Sequence, residues 1–208
     1  DILISALFTQ SQTFVGNLRN KTAEVEAAVV LSVDAVFISG ETVNGAGTVA
    51  VTNLQADDDA NLDNITATTH TASVSASNTN FTGDIGDAVV TVDTGATWTI
   101  GVATVNTGTA VATGTITGDA AQLTTMAIIG DGTVAVTNLD ETDTADLSQI
   151  TAATHTANVS GSNTSFTGNL GDAALTVASG TWVVGNGATI ANAASIVATG
   201  TIQGDAAI

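Results

Sequence analysis

From Gly45 to Gly95 the chain says what it says again from Gly130 to Gly180, without a gap and with 33 identities in 51 positions. One residue then drops out, so that GATW around Trp98 becomes GTW around Trp182, and two are added soon after. The copies realign at VATGTITGDAA (Val111–Ala121) and VATGTIQGDAA (Val197–Ala207). A fixed period of about 85 residues is the mark of a repeat architecture, in which each unit buries its apolar face against a neighbour. The chain therefore divides into a leader, residues 1–41, and two repeat units, 42–129 and 130–208.

Within each unit the apolar residues come in runs of strand length. GTVAVTNL, SFTGNLG, DAALTVASG, TWVVG and IVATGTIQG are each bounded by Gly, Asn, Asp or Ser, the pattern of short strands joined by tight corners. Thr supplies 38 of the 208 positions. With Val and Ile it fills the chain with β-branched side chains, which suit a pleated surface. Two all-β folds fit: a repetitive parallel β-solenoid, with coils stacked one strand spacing apart and a narrow aliphatic interior, or two tandem β-sandwich domains anchored on Trp98 and Trp182. Aromatic residues make up only 3% of the chain, Pro is absent, and the runs are uniform in length. These features favour the solenoid.

The leader reads differently. TAEVEAAVVLSVDAVF (Thr22–Phe37) begins with good helix formers, and Glu24 and Glu26 fall where a helix dipole favours acids. VVLSVDAVFI (Val29–Ile38) also reads as a buried strand, but length and the Ala-Glu start favour a helix that gives way to a strand near Ala35. The N-terminal segment is thus expected to be partly helical, unlike the units that follow.

GDGTVAVTNLDETDTADLSQITAATHTA and FTGNLGDAALTVASGTW resemble the Thr/Ala/Gly-rich, Lys-poor repeats of very large secreted bacterial surface proteins. Among these are haemolysin-type and autotransporter-like adhesins and surface-layer proteins. The resemblance covers roughly residues 45–208 and implies an extracellular, cell-surface protein with a structural or adhesive role. The calcium-binding nonapeptide GGxGxDxUx of such proteins is missing here, so the resemblance carries over no calcium-roll chemistry.

Charge excludes several functions. The chain holds 20 acids against two Lys or Arg, and Arg19 and Lys21 both lie in the leader. A surface of that kind has no cations with which to hold a phosphate backbone, so nucleic acid is not an expected partner. No apolar run reaches the roughly 20 residues of a membrane span, so membrane insertion is not expected. The absence of Cys removes disulfide and thiol chemistry. Enzyme activity is not expected either. The units carry no GxSxG context, no cationic base for acidic sugars, and no carboxylate pair that survives from one copy to the other, because Asp84 becomes Asn169.

Two features qualify as sites. The acidic patches ADDDANLD (Ala56–Asp63) and DETDTADLS (Asp140–Ser148) occupy equivalent places. They read first as solvated turns. Clustered carboxylates also suit Ca²⁺, and the ligands would be Asp58 and Asp143, which align, helped by Asp57, Asp59, Asp140 and Glu141. No other cofactor is implied. The second feature is assembly. The chain stops at ATGTIQGDAAI, where the first unit runs on into the next, which reads either as a fragment of a longer array or as an open last coil. In the latter case the leader of a second copy covers that coil, with Arg19 and Lys21 meeting Asp205 and Ile208. His70 and His155, in identical TxHTA contexts, read as surface residues. Sequons at Asn20, Asn64, Asn80, Asn158 and Asn163 are no more than a Thr-rich chain produces by chance, and TxT pairs such as THT and TGT fall at no constant spacing. The expected function is a structural subunit of an extracellular fibre, filament or surface layer, polymerising head to tail with itself. The alternative is an adhesin stalk or module that recognises glycans or a host surface.

Overall fold

A computed structural model describes residues 6–18, 21–101, 109–124, 126–190 and 195–204. The protein is all-β, a parallel β-solenoid, and it forms two compact units, Asp1–Val111 and Ala112–Ile208. These units divide the chain at a different place from the sequence repeats.

The first unit carries β1 (Ala6–Phe8), β2 (Gln12–Phe14), β3 (Ala23–Val25), β4 (Val30–Asp34), α1 (Ala35–Ile38), β5 (Val43–Thr52), β6 (Ile65–Val74), β7 (Val89–Val92) and β8 (Thr97–Ile100), with β9 (Thr109–Ala112) at the boundary. The second carries β10 (Thr115–Asp119), α2 (Ala120–Leu123), β11 (Ala127–Thr137), β12 (Ile150–Val159), β13 (Ala174–Val177), β14 (Thr181–Val184), β15 (Ile196–Ala198) and β16 (Thr201–Gly204). Single-turn 3₁₀ segments follow β5 and β11, at Leu54–Ala56 and Leu139–Glu141.

Strands pair in parallel with strands one coil away. Val43 lies beside Ile65, Thr48 beside Thr69, and Thr71 beside Val89. The second unit repeats these offsets, with Ile128 beside Ile150, Thr133 beside Thr154 and Thr156 beside Ala174. A coil of about 20 residues, the small end of the range for solenoid repeats, goes four times into the sequence period. The loops and a bulge in β5 and β11 absorb uneven spacing along the chain. Thr115, Thr133 and Thr154 thus stand in one row although the second interval is longer than the first. Constant spacing in sequence is therefore not needed for register in space.

Parallel stacking turns the interior into ladders of like residues. Leu31, Val49 and His70 form one, and Val33, Val51, Ala72 and Val90 another. The second unit has Ile116, Val134 and His155, and Val136, Ala157 and Leu175. All of these side chains are buried. Trp98 packs on Phe81 with ring centroids 5.7 Å apart, and Trp182 on Phe166 at 5.5 Å. Such tilted pairs contribute about 0.5–1.5 kcal/mol beyond the area they bury. The Trp residues thus anchor a solenoid rather than a sandwich.

Long strands bend where β5 and β11 pass from one face of the coil to the next. Gly45 and Gly130 sit at these bends with φ of +121° and +116°. A Cβ there would lie 2.2 Å from the Val25 carbonyl oxygen or 2.4 Å from that of Ala112. Only glycine meets both the backbone angle and the close approach.

The leader is partly helical, as expected, but its helix lies at the other end of the segment. Thr22–Asp34 carries two strands, and the helix comes after them, as the single turn Ala35–Ile38. Ala28, at φ of +64°, breaks the segment where a helix would have run. The strand wins because β4 finds partners on both sides, β2 and β5, and buries Leu31 and Val33 between them. Pairing and burial outweigh the small local preference of Ala and Glu for helix. The strand and turn of Val30–Ile38 match those of Thr115–Leu123, one sequence period later. The structural repeat therefore begins inside the segment that the sequence sets apart.

Candidate functional site

The aligned acids Asp58 and Asp143 stand at the centre of two matching polar clusters. Asp58 follows the 3₁₀ turn after β5. Its carboxylate accepts a hydrogen bond from Asn78 Nδ2 at 3.0 Å and another from Thr79 Oγ1, both one coil away. Asp143 accepts from Asn163 Nδ2 at 3.0 Å, from Thr164 Oγ1, and from the Ser165 amide at 3.3 Å. The two asparagines also stand in for strand neighbours. Asn78 donates to the Thr99 carbonyl at 3.0 Å and accepts from the Thr99 amide at 2.6 Å; Asn163 does the same with Val183 at 2.9 and 2.6 Å. Each cluster therefore ties three successive coils. Slight burial of the two carboxylates opposes their ionisation, but the donors from Thr79 and Asn78, or Thr164 and Asn163, with the adjacent amides, outweigh it. Both carboxyls are held below the ordinary range.

The other predicted acids do different things. Asp57 lies against Asp59, and burial, a hydrogen bond shared with Asp59 and the like charge of that neighbour push its carboxyl up. Asp140 accepts from the Ser160 amide at 2.8 Å. Glu141 is exposed at the end of its 3₁₀ turn. Among the described residues no three acidic or histidine side chains come together in a way that could hold a metal ion. Of the predicted assembly residues, Lys21 is exposed, whereas Arg19, Asp205 and Ile208 lie outside the described residues.

The histidines overturn their sequence reading. His70 and His155 are buried, each side chain 1% exposed. The sequence misleads because alternation counted from Ile65 puts His70 outside, but β6 leaves both Thr68 and Thr69 exposed, and so turns the next residue inward. β12 does the same at Ala153 and Thr154. His70 Nδ1 lies 3.2 Å from Asp87 Oδ1, and His155 Nδ1 lies 3.0 Å from Asp172 Oδ1. These carboxylates are 73% and 55% exposed. Asp172 opens onto a groove of about 270 Å³ with Ser148, Ile150, Thr151, Asn169 and Thr189. A His–Asp pair of this kind has the form of a base and its orienting carboxylate, and in both rings Nε2 is buried in the packed interior.

From sequence, Asn163 reads only as a sequon, Asn78 is not singled out, and neither is paired with the aligned acids. The signal was their recurrence 20 residues after Asp58 and Asp143, the one acid of each patch that aligns between the copies. No known protein family, no curated protein and no solved structure matches this chain.

Proposed function

We propose that the chain is a structural segment of an extracellular fibre, filament or surface layer, built as a β-solenoid and assembling head to tail with copies of itself. The observation that carries this reading is where the polar side chains are spent. Asp58 with Asn78 and Thr79, Asp143 with Asn163 and Thr164, and Asn53 with Asp34 all reach along the chain to the adjoining coil. These side chains bond the adjoining coil and so hold the stack together. Ile196, Val197 and Ile202 of β15 and β16 are 46%, 57% and 40% exposed, whereas Ala110 and Ile116, which align with Ile196 and Ile202, are fully buried; the exposed face is one that a further coil fits, whether of this chain or of a second copy. A further coil laid on them buries them as β11 buries Ile116. No helix among the described residues is long and apolar enough to cross a membrane.

Electron microscopy and sedimentation of the full chain at high concentration, with and without Ca²⁺, test the proposal. End-to-end oligomers or filaments are expected, and Val197→Asp with Ile202→Asp should dissolve them. A chain that stays monomeric under all these conditions ends the assembly reading.

A further inference from the structure

The buried histidines carry an inference that does not depend on assembly. We propose that His70–Asp87 and His155–Asp172 are acid-sensitive latches between successive coils, and that proton uptake by either imidazole releases the strands it joins.

The geometry supplies the mechanism. A carboxylate only accepts, so the proton between the partners sits on Nδ1, and Nε2 is left with its lone pair. In both rings Nε2 is buried and has no hydrogen-bond partner. Each ring ends an aliphatic ladder: Val49 and then Leu31 lie on one side of His70, Val134 and then Ile116 on one side of His155. On the other side the single charged group acting on each ring is Asp87 or Asp172. A neutral imidazole fits this setting. A proton added to Nε2 puts a charged donor against aliphatic side chains with no acceptor, which is costly inside a protein. The wet carboxylate and the dry ring give the latch its direction: solvent reaches Asp87 and Asp172 freely, but stabilises the imidazolium only once the coil opens.

Burial holds both imidazoles below their ordinary range, and the attraction of Asp87 or Asp172 recovers only part of that. The open state, where the ring titrates near 6.5, therefore binds a proton more readily than the closed one. Stability of the latched coils is fully present above that value and falls as the pH drops below it, by about tenfold in the opening equilibrium per pH unit for each ring. The fall ends at the closed-state value.

The test uses the full chain, whose only two histidines are these. Long-range ¹H–¹⁵N spectra recorded from pH 8 to pH 4 give the tautomer and midpoint of each ring. Hydrogen exchange by mass spectrometry, corrected for intrinsic rates, follows β6 with residues 87–92 and β12 with residues 172–177. The expected result is the Nδ1–H tautomer, both midpoints depressed, and exchange in these strands accelerating on acidification while β14 stays protected. His70→Asn with His155→Asn keeps a donor at the Nδ1 position but cannot titrate, and should flatten the acceleration. If that variant does not fold, Asp87→Asn and Asp172→Asn, at exposed positions, should depress the midpoints further. An ordinary or raised midpoint, the Nε2–H tautomer, or exchange indifferent to pH overturns the proposal.

Discussion

The turn after β5 reads Gln55-Ala56-Asp57-Asp58-Asp59, and the turn after β11 reads Asp140-Glu141-Thr142-Asp143-Thr144. Only one of the five positions is the same in both, yet several accepting bonds are the same. The Gln55 side-chain carbonyl accepts from the Ser75 amide at 3.0 Å, as the Asp140 carboxylate accepts from Ser160 at 2.8 Å. Asn61 accepts from the Asp63 amide, and its counterpart Asp146 from Ser148. Asp84 accepts from the Gly86 amide, and its counterpart Asn169 from Gly171. At each of these places the fold demands an oxygen that accepts, and is indifferent to whether that oxygen is charged. Asp58 and Asp143 keep the charge in both copies and collect several donors apiece. The acidic turns thus separate into a structural carboxylate and neighbours that have drifted between acid and amide.

The comparison can be broken first at the core, which the two copies share most closely. Trp98→Ala and Trp182→Ala should each cost about 3–5 kcal/mol, read as a fall in the denaturant midpoint. A large inequality between them would show that the two rings are not equivalent anchors. The fixed acids come next. Asp58→Ala and Asp143→Ala each remove the acceptor of a half-buried Asn amide and an exposed Thr hydroxyl, at about 1 kcal/mol, and should cost more than Asp57→Ala or Glu141→Ala, measured in the same way. Because both fixed carboxyls are held below the ordinary range, their contribution is present at neutral pH and is lost as the pH falls below about 3.8 through the folded values. Acid melts of the two alanine variants should therefore converge on that of the parent. The drifting positions should show the smallest effect. Gln55→Asp, Asp140→Gln, Asp84→Asn and Asn169→Asp should each stay within about 0.5 kcal/mol, and a larger loss at any of them would mean that charge matters there after all. A chelator should leave the melting temperature of the parent unmoved, since Asp58 and Asp143 already give their oxygens to protein donors. A drop would restore Ca²⁺ to these turns.

Much of the architecture was legible because parallel stacking writes itself into sequence. Strand-length runs, Gly and Asx corners and a long period all follow from coils that must look alike to sit on one another. What stayed hidden had a local cause. Val30–Ile38 shares only Asp34 and Ala35 with Thr115–Leu123, because a strand held on both sides needs inward aliphatics and not particular ones. The helix expected there came from propensity, a weak term beside pairing. His70 and His155, flanked by Thr, read as surface residues; an irregularity that resets the alternation within β6 and β12 turns them inward, and nothing in TxHTA marks it. Asp57, Asp59, Asp140 and Glu141 looked like helpers of Asp58 and Asp143 because acids adjacent in sequence suggest a shared task. A turn points its residues in different directions, and of these six acids Asp58 and Asp143 are the two that gather an Asn and a Thr from the next coil.

The even register of the strands has a consequence for how such a chain changes its size. Each added coil takes about 20 residues of chain and lengthens the stack by one strand spacing, about 4.8 Å. Duplicating one full sequence period within such a stack inserts four rungs whose edges match those they are spliced between, at a cost in junctions close to nothing. Length can then be adjusted in whole rungs, by copying, while every interior contact stays of a kind already tried. The two near-identical phrases in this chain have the form that such a copying would leave, and they differ in charge at places where an accepting oxygen suffices.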